Sequence, residues 1–144
     1  MKKSGFTLIE LLMASVIMAI LAAIAVPNFT RWKVRAKESE VRSVTHSVQM
    51  AVEDYKATPG SEGLKPSTFS ELTIVAQCYL PYSVQYKRNP FNMLQTYGTN
   101  GLVFGAPNGS GEVGYQYYAQ IVPYTISCWG GTPGVIILTL IEGQ

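Results

Sequence analysis

A 21-residue apolar segment near the N-terminus, Phe6 to Val26, constrains this 144-residue chain more than any other feature. It reads FTLIELLMASVIMAILAAIAV, and its one charged residue is Glu10. About 20 apolar residues are enough to cross a bilayer as a helix. The segment therefore predicts a helix of membrane-spanning length, with a carboxylate close to its start.

The short leader before this segment, Met1–Gly5, is basic because it holds Lys2 and Lys3. A positive start followed by an apolar stretch is also typical of a secretory signal, and Ala23-Ile24-Ala25 would supply its cleavage site. The stretch is longer than such signals need, however. A carboxylate near hydrocarbon also costs several kcal/mol unless it is paired or stays near the interface. A signal that is discarded has no reason to carry that cost.

Gly5-Phe6-Thr7-Leu8-Ile9-Glu10 after a Lys-Lys leader, followed by an apolar run and Pro27, resembles the class III signal of type IV pilins and pseudopilins. The resemblance extends to about Tyr55 and is specific there. It implies that a prepilin peptidase cuts after Gly5 and that the new N-terminus, Phe6, is methylated. It further implies that Phe6, Glu10 and Pro27 contribute to assembly, with Glu10 pairing with the N-terminal amine of a neighbouring subunit.

The same resemblance implies a structural role rather than an enzymatic one. The subunit would be held in the inner membrane by its apolar segment, with its head periplasmic, and would then enter an extracellular surface filament. Its implied partners are copies of itself, prepilin peptidase, the inner-membrane assembly machinery and, before assembly, membrane lipid. Two alternatives stay open: a minor pilin or pseudopilin of a type II secretion-like machine, and a membrane-anchored periplasmic binding domain. Adhesion, motility, DNA uptake and secretion are not distinguished.

The helix is expected to continue beyond the apolar segment, although Pro27 should weaken or kink it. Apolar residues then recur at helical spacings and form an amphipathic stripe: Val34, Val41, Val44, Val48, Ala51, Val52 and Tyr55. The residue before a proline is pushed out of the helical region, so Thr58-Pro59 should end the element. The chain thus divides into a cleaved leader (1–5), an apolar helix half (6–26), an amphipathic helix half (27–56) and a head (57–144).

The head is rich in glycine, proline and short β-prone runs. Candidate strands are Leu102–Gly105, Glu112–Ile121, Tyr124–Trp129 and Val135–Ile141, preceded by a possible helical turn at Ser67–Leu72. Short connections make an antiparallel meander the simplest topology. Val135–Leu138 is apolar at every position, which predicts a central or covered strand. The predicted class is α+β, with a long N-terminal helix packed on a small antiparallel sheet, as in pilins.

The balance of charges argues against nucleic-acid binding. Eleven basic and nine acidic residues rule out a strongly basic nucleic-acid binder, so we do not expect nucleic acid as a partner. Removal of the leader would leave nine of each. The basic residues between Arg31 and Arg42 are interleaved with Glu38 and Glu40, which predicts solvated or intersubunit ion pairs.

No catalytic, metal or cofactor site is predicted. His46 is the only histidine and Asp54 the only aspartate, so no zinc motif can be assembled. Major pseudopilins resemble this layout but carry an acidic calcium-binding loop in the head. The head carboxylates here are few and scattered, namely Glu62, Glu71, Glu112 and Glu142. This departure favours a pilin over a major pseudopilin.

The two cysteines, Cys78 and Cys128, are the only ones in the chain. An even count in a chain exported past the inner membrane favours a disulfide over a metal site, with free thiols as the alternative. A bridge closing a loop of about 50 residues would stabilise the head by roughly 4 kcal/mol in the chain-entropy model.

We predict that the exported protein is oxidised between Cys78 and Cys128. Alkylation of the denatured, unreduced protein should leave its intact mass unchanged, whereas reduction before alkylation should add two adducts. The Cys78→Ser/Cys128→Ser double variant is the control and should gain no adduct under either condition. An alkylated thiol in the unreduced exported protein would contradict the prediction.

Overall fold

A computed structural model describes residues 5–60, 63–73, 79–118 and 122–143 of the chain. In chain order the elements are α1 (Leu8–Ala57), α2 (Phe69–Leu72), α3 (Tyr82–Gln85), a π-helical turn (Tyr97–Gly101), β1 (Leu102–Phe104), β2 (Val113–Gln116), β3 (Thr125–Trp129) and β4 (Ile136–Ile141). The chain divides into two units, Met1–Arg35 and Ala36–Gln144. The α+β prediction is confirmed, because α1 packs within the second unit on a four-stranded, mostly antiparallel sheet.

The core of the second unit is built on one stripe of α1. Its buried members are Val41, Val44, Thr45, Val48, Ala51 and Val52. They pack with buried side chains of the sheet and the connecting segments, which include Leu72, Leu80, Tyr97, Tyr115, Tyr124 and Ile126. The predicted stripe is therefore confirmed from Val41 onward, whereas Val34 is 43% exposed. Thr45 joins the stripe because its hydroxyl donates to the Val41 carbonyl (2.9 Å), which satisfies the polar group inside the core.

The sheet has the strand order β1-β2-β3-β4, and its first pair corrects the predicted meander. β2 and β3, like β3 and β4, are antiparallel, but β1 and β2 are parallel. A three-residue strand is short enough for the connection after Phe104 to carry the chain back to the start of β2. Gly114 leaves room for this connection, since a Cβ there would lie 2.4 Å from Pro107 Cδ and 2.5 Å from the Gly105 carbonyl oxygen.

The strand positions otherwise agree closely with the prediction. β1, β3 and β4 begin and end within one residue of the expected ranges, and α2 lies inside the expected helical turn. The second strand ends at Gln116 instead of continuing to Ile121. Residues 119–121, which were expected to extend it, lie outside the described part of the chain.

The last strand, β4, is an edge strand, so the prediction that Val135–Leu138 is central or covered is wrong. β4 pairs with β3, and within the described ranges no other strand pairs with its second edge. Leu138 and Leu140 are half-buried opposite Cys128 and Ile126, whereas Ile136 is 56% exposed. The run is apolar at every position, but only some of its side chains reach the core.

A cluster of charged residues joins the end of α1 to the end of β4. Glu142 accepts from Lys56 Nζ through Oε1 (2.6 Å) and pairs with Lys65 Nζ through Oε2 (2.7 Å). Lys56 also pairs with Glu53 (3.0 Å), whose other oxygen accepts the Tyr124 hydroxyl. The Lys65 side chain is only 5% exposed, so Glu142 is the counter-charge of a buried cation. Removing one partner of such a pair leaves an uncompensated charge in the protein.

Part of the mixed run at Arg31–Arg42 forms contacts inside the second unit. Glu40 pairs with Lys87 (3.2 Å), and the Lys37 ammonium lies 5.4 Å from the centre of the Phe91 ring. Both side chains of the Glu40–Lys87 pair are more than a third exposed. A pair of that kind contributes little to stability, about 1 kcal/mol or less.

We predict that Glu142→Gln lowers the free energy of unfolding of the head by about 1–3 kcal/mol at neutral pH, because Lys65 loses its counter-charge. Burial alone would raise the pKa of Glu142, but hydrogen bonds from Lys56 and Lys65 outweigh it and lower that pKa. The ionised carboxylate therefore stabilises the head above its unfolded-state pKa of about 4.3. This stabilisation is lost as the pH falls through the lowered folded-state pKa.

Denaturant unfolding at a series of pH values measures this effect in detergent-solubilised full-length protein. The difference between wild type and Glu142→Gln should be largest at neutral pH and should close in acid. Glu40→Gln serves as the matched control and should cost less than Glu142→Gln at neutral pH. An equal decrease in the free energy of unfolding for the two variants would show that the Glu142 cluster stabilises the head no more than an exposed ion pair does.

Candidate functional site at the start of helix α1

The residues predicted for processing and assembly lie at and just before the start of α1. Gly5, Phe6 and Thr7 precede the helix, which begins at Leu8, and Glu10 lies in its first turn. The Phe6 side chain is 86% exposed. The structure therefore places Gly5, Phe6 and Glu10 together on one accessible segment, while Pro27 lies inside α1 more than four turns further along.

Glu10 and Thr7 form a reciprocal cap at the helix start. The backbone N–H and the hydroxyl of Thr7 both donate to Glu10 Oε2, at 2.9 and 2.8 Å. The Glu10 N–H lies 3.4 Å from Thr7 Oγ1 in return. This is the capping-box arrangement, in which a threonine at the N-cap and a glutamate three residues later satisfy otherwise unpaired backbone donors. A carboxylate at this end is also favoured by the helix dipole.

The cap leaves half of the carboxylate available. Oε2 receives both Thr7 bonds, and Oε1 accepts no hydrogen bond from any residue in the described part of the chain. Oε1 therefore lies at the N-terminal end of the helix with its lone pairs free to accept from a donor outside the subunit. An ammonium group is the donor that would best compensate the charge.

Sequence reasoning assigned no role of its own to Thr7, whereas the structure makes it the N-cap of α1. The signal was present as Thr7-x-x-Glu10, the pattern of a capping box before an apolar run. It was missed because the glutamate was interpreted solely through its partner in a neighbouring subunit. Thr7 is thus the residue that holds the Glu10 carboxylate in a defined rotamer.

A Cβ built on Gly5 meets no described atom within 4 Å, so the space around this position does not require a glycine.

The first unit has no core of its own. Every residue from Gly5 to Ala36 is exposed, and α1 is long and apolar enough near its N-terminus to cross a membrane. The helix continues through Pro27, so the proline does not end it. Two hydroxyls of this region bond back to the helix, Ser15 to the Leu12 carbonyl (2.8 Å) and Thr30 to the Pro27 carbonyl (2.9 Å). Such back-bonding satisfies the hydroxyls where water is absent.

The predicted disulfide is not shown. Cys128 is buried on β3 and forms no disulfide with any described residue. Burial raises the pKa of this thiol, and contacts with Thr45 and Arg42 lower it by less. Cys78 lies outside the described residues. The pairing of Cys78 with Cys128 therefore stays a prediction.

Comparisons with known proteins agree on the identity of the N-terminal segment. Residues 1–26 match the family model described as the prokaryotic N-terminal methylation motif. The chain is 50% identical over 42 residues to the type IV major pilin protein PilA of Myxococcus xanthus. These residues make up 29% of this chain and 19% of that protein. It is 43% identical over 51 residues to the type IV major fimbrial protein FimA of Dichelobacter nodosus. These residues make up 35% of this chain and 33% of that protein.

The matched regions thus span no more than about a third of these relatives. No solved structure gives a significant match to the chain.

We predict that Thr7→Ala weakens the first turn of α1 by about 1 kcal/mol, because it removes the hydroxyl that donates to Glu10 Oε2 and accepts from the Glu10 N–H. The bond from the backbone N–H of residue 7 to Glu10 Oε2 does not depend on that side chain. Thr7→Ser keeps the hydroxyl and should retain most of the cap. Amide hydrogen exchange of residues 8–11 in detergent-solubilised protein measures the difference. Faster exchange in Thr7→Ala than in both wild type and Thr7→Ser is the expected result, and equal rates in all three would refute the cap.

Proposed function

Because the N-terminal segment of this chain is that of the type IV pilin and pseudopilin family, we propose that the chain is a structural subunit of a type IV pilus filament. The observation that carries the proposal is the start of α1. There, a capped glutamate with one free oxygen begins a helix whose apolar surface is uncovered within the chain. Exposure of such an apolar surface to water is unfavourable, so the surface requires lipid or neighbouring copies to cover it.

Processing is the first step of the proposal. Prepilin peptidase would cut after Gly5 and the N-terminus of Phe6 would be methylated. The segment from Gly5 to Thr7 lies outside the helix, which supports cleavage, because a protease needs an extended backbone rather than a helical one. Loss of Met1–Gly5 would also create the α-amine that the next step needs.

Pairing of Glu10 with the Phe6 amine of a neighbouring copy is the second step. A carboxylate buried among apolar helices is costly unless a cation compensates it, and the cost returns when the partner is absent. The pair would therefore stabilise the one register between subunits in which the amine meets Glu10, and every other register would leave the carboxylate unpaired. Thr7 supports this role because it fixes Oε2 and leaves Oε1 free for the incoming amine. The α-amine carries its charge near neutral pH.

The apolar segment would serve two environments in turn. In the precursor it would lie in the inner membrane as a single span, with the head on the periplasmic side. In the filament the same side chains would pack against those of neighbouring copies. The exposed apolar residues run without interruption from Leu8 to Val26 apart from Glu10 and Ser15, so one surface fits both settings.

We predict that the mature subunit isolated from filaments begins at N-methylated Phe6. Mass spectrometry of the intact protein and of its N-terminal peptide should show loss of Met1–Gly5 and a gain of one methyl group. A mature protein that starts at Met1 or at Val26 would overturn the proposal.

Two substitutions separate the charge of Glu10 from its capping role within the same experiment. Glu10→Gln retains an acceptor for Thr7 but removes the negative charge, and Glu10→Ala removes both. Both variants should be processed normally and should be lost from filaments, because neither can pair with the amine. Asp54→Asn removes one negative charge from an exposed position of α1 and is the matched control. Normal incorporation of Glu10→Gln would contradict amine pairing.

A further inference from the structure

A group of basic and aromatic side chains lies on α1 just beyond its apolar segment. We call Phe29, Arg31, Trp32, Lys33 and Arg35 the basic–aromatic belt. All five are exposed, with Phe29 at 62% and Trp32 at 69%. Residues four apart share a helix face, so Arg31 lies with Arg35 and Phe29 lies with Lys33. Trp32 lies on the side between these two faces, and the belt therefore covers an arc of about 200° around the helix, on the side away from Thr30 and Val34.

The position of the belt along the helix matches the thickness of a bilayer. From Leu8 to Phe29 the helix rises about 32 Å, and the hydrocarbon core of a bilayer is about 30 Å thick. If the start of α1 lies at one interface, the belt lies at the other. The depth at which lipid headgroups meet acyl chains is where Trp and other aromatic side chains are enriched in membrane proteins.

The belt carries three cations, Arg31, Lys33 and Arg35, and the first acidic residue beyond them is Glu38, three positions after Arg35. Within the described ranges, none of these three side chains forms an ion pair. Three cations at the end opposite the leader also work against the orientation that Lys2 and Lys3 favour. Anionic groups outside the chain would offset that cost.

The side chains of the belt are arranged for an interface rather than for open water. The Lys33 ammonium lies over the Phe29 ring, 5.5 Å from its centre, so the cation is held one turn closer to the apolar segment than its own backbone. A cation over an aromatic face keeps its charge partly exposed while the ring packs against apolar material. Trp32 provides a second amphipathic ring beside the two arginines.

We propose that the basic–aromatic belt binds the headgroups of anionic phospholipids in the leaflet at the far end of the apolar segment. This inference rests on the proposed membrane anchoring of the unassembled subunit and adds the chemistry of the lipid it selects. The arginines and Lys33 neutralise phosphate groups, and Phe29 and Trp32 fix the depth of the helix. The contacts end when the subunit leaves the bilayer, so the belt acts in the membrane-held state.

The test uses the full-length chain reconstituted in vesicles. The chain contains two tryptophans, and Trp129→Phe leaves Trp32 as the only one. Its fluorescence is quenched by brominated lipids, which report both depth and the identity of the adjacent lipid. We expect stronger quenching by bromines near the glycerol backbone than near the chain ends. In mixed vesicles we expect brominated phosphatidylglycerol to be preferred over brominated phosphatidylcholine by roughly fivefold at low salt.

Charge-neutral variants assign that preference to the belt. Arg31→Gln/Lys33→Gln/Arg35→Gln should lower the preference to about one, as should 1 M salt, where the Debye length is about 3 Å. Arg31→Gln/Arg35→Gln should reduce it in part. The matched control is Arg42→Gln/Arg88→Gln, which removes two exposed arginines outside the belt and should leave the preference unchanged.

The remaining outcomes separate failure of this inference from failure of the proposed anchoring. Equal quenching of Trp32 by both lipids would overturn the inference while anchoring stands. A triple variant that keeps its lipid preference but no longer enters filaments would also overturn it and would assign the charges to a neighbouring subunit. A chain that leaves vesicles of every composition when detergent is removed would overturn the anchoring itself, and the inference with it.

Discussion

The head depends on the burial of one stripe of α1, from Val41 to Val52. The valines of this stripe are fully or almost fully buried, and they share one core cluster with Tyr115 and Ile126 of the sheet and with Tyr124, which precedes β3. Burial of one such side chain contributes about 1.5–3 kcal/mol. The sheet has only four short strands, and such a sheet needs a packed face to be stable. The helix provides that face, so the head has no core without α1.

The first unit obeys the opposite rule. From Gly5 to Arg35 the helix buries nothing within its own chain, and its few polar groups are satisfied locally. Thr7 and Glu10 cap each other, while Ser15 and Thr30 bond back to helix carbonyls. The hydrogen bonds of these polar groups are thus made locally, whereas the apolar surface of this part stays uncovered within the described chain. The same helix is therefore a core element at one end, and at the other end it is exposed and apolar over a length that could cross a membrane.

Much of this organisation follows from local patterns that sequence reasoning can detect. The apolar segment, the valine stripe, the end of α1 before Pro59 and the strand positions are set by residue type and spacing, which act over short distances. The parallel pairing of β1 with β2 was missed because it depends on Gly114 accepting a chain that crosses over it. The edge position of β4 was missed because an apolar run does not reveal how many of its side chains meet the core.

The candidate site shows the same division. Gly5, Phe6 and Glu10 were predicted from a motif, and the resemblance that the motif carries implies partners outside the chain. Thr7 and the Glu142 cluster were overlooked for different reasons. The Thr7-x-x-Glu10 pattern is local and could have been detected. The convergence of Lys56, Lys65 and Glu142 joins distant parts of the chain, and no spacing rule predicts it.

The separation in sequence between the valine stripe and its partners has a consequence for how the subunit is made. Lys56 and Glu142 are 86 positions apart, and β4, with Leu138 and Leu140, closes the sheet only near the end of the chain. During synthesis α1 leaves the ribosome before the strands do. The valines of α1 therefore stay uncovered until β1–β4 have been made. Folding of the head is consequently a late event dominated by long-range contacts, which are slow to form. Until then both the apolar segment and the valine stripe of α1 lack protein partners within the nascent chain.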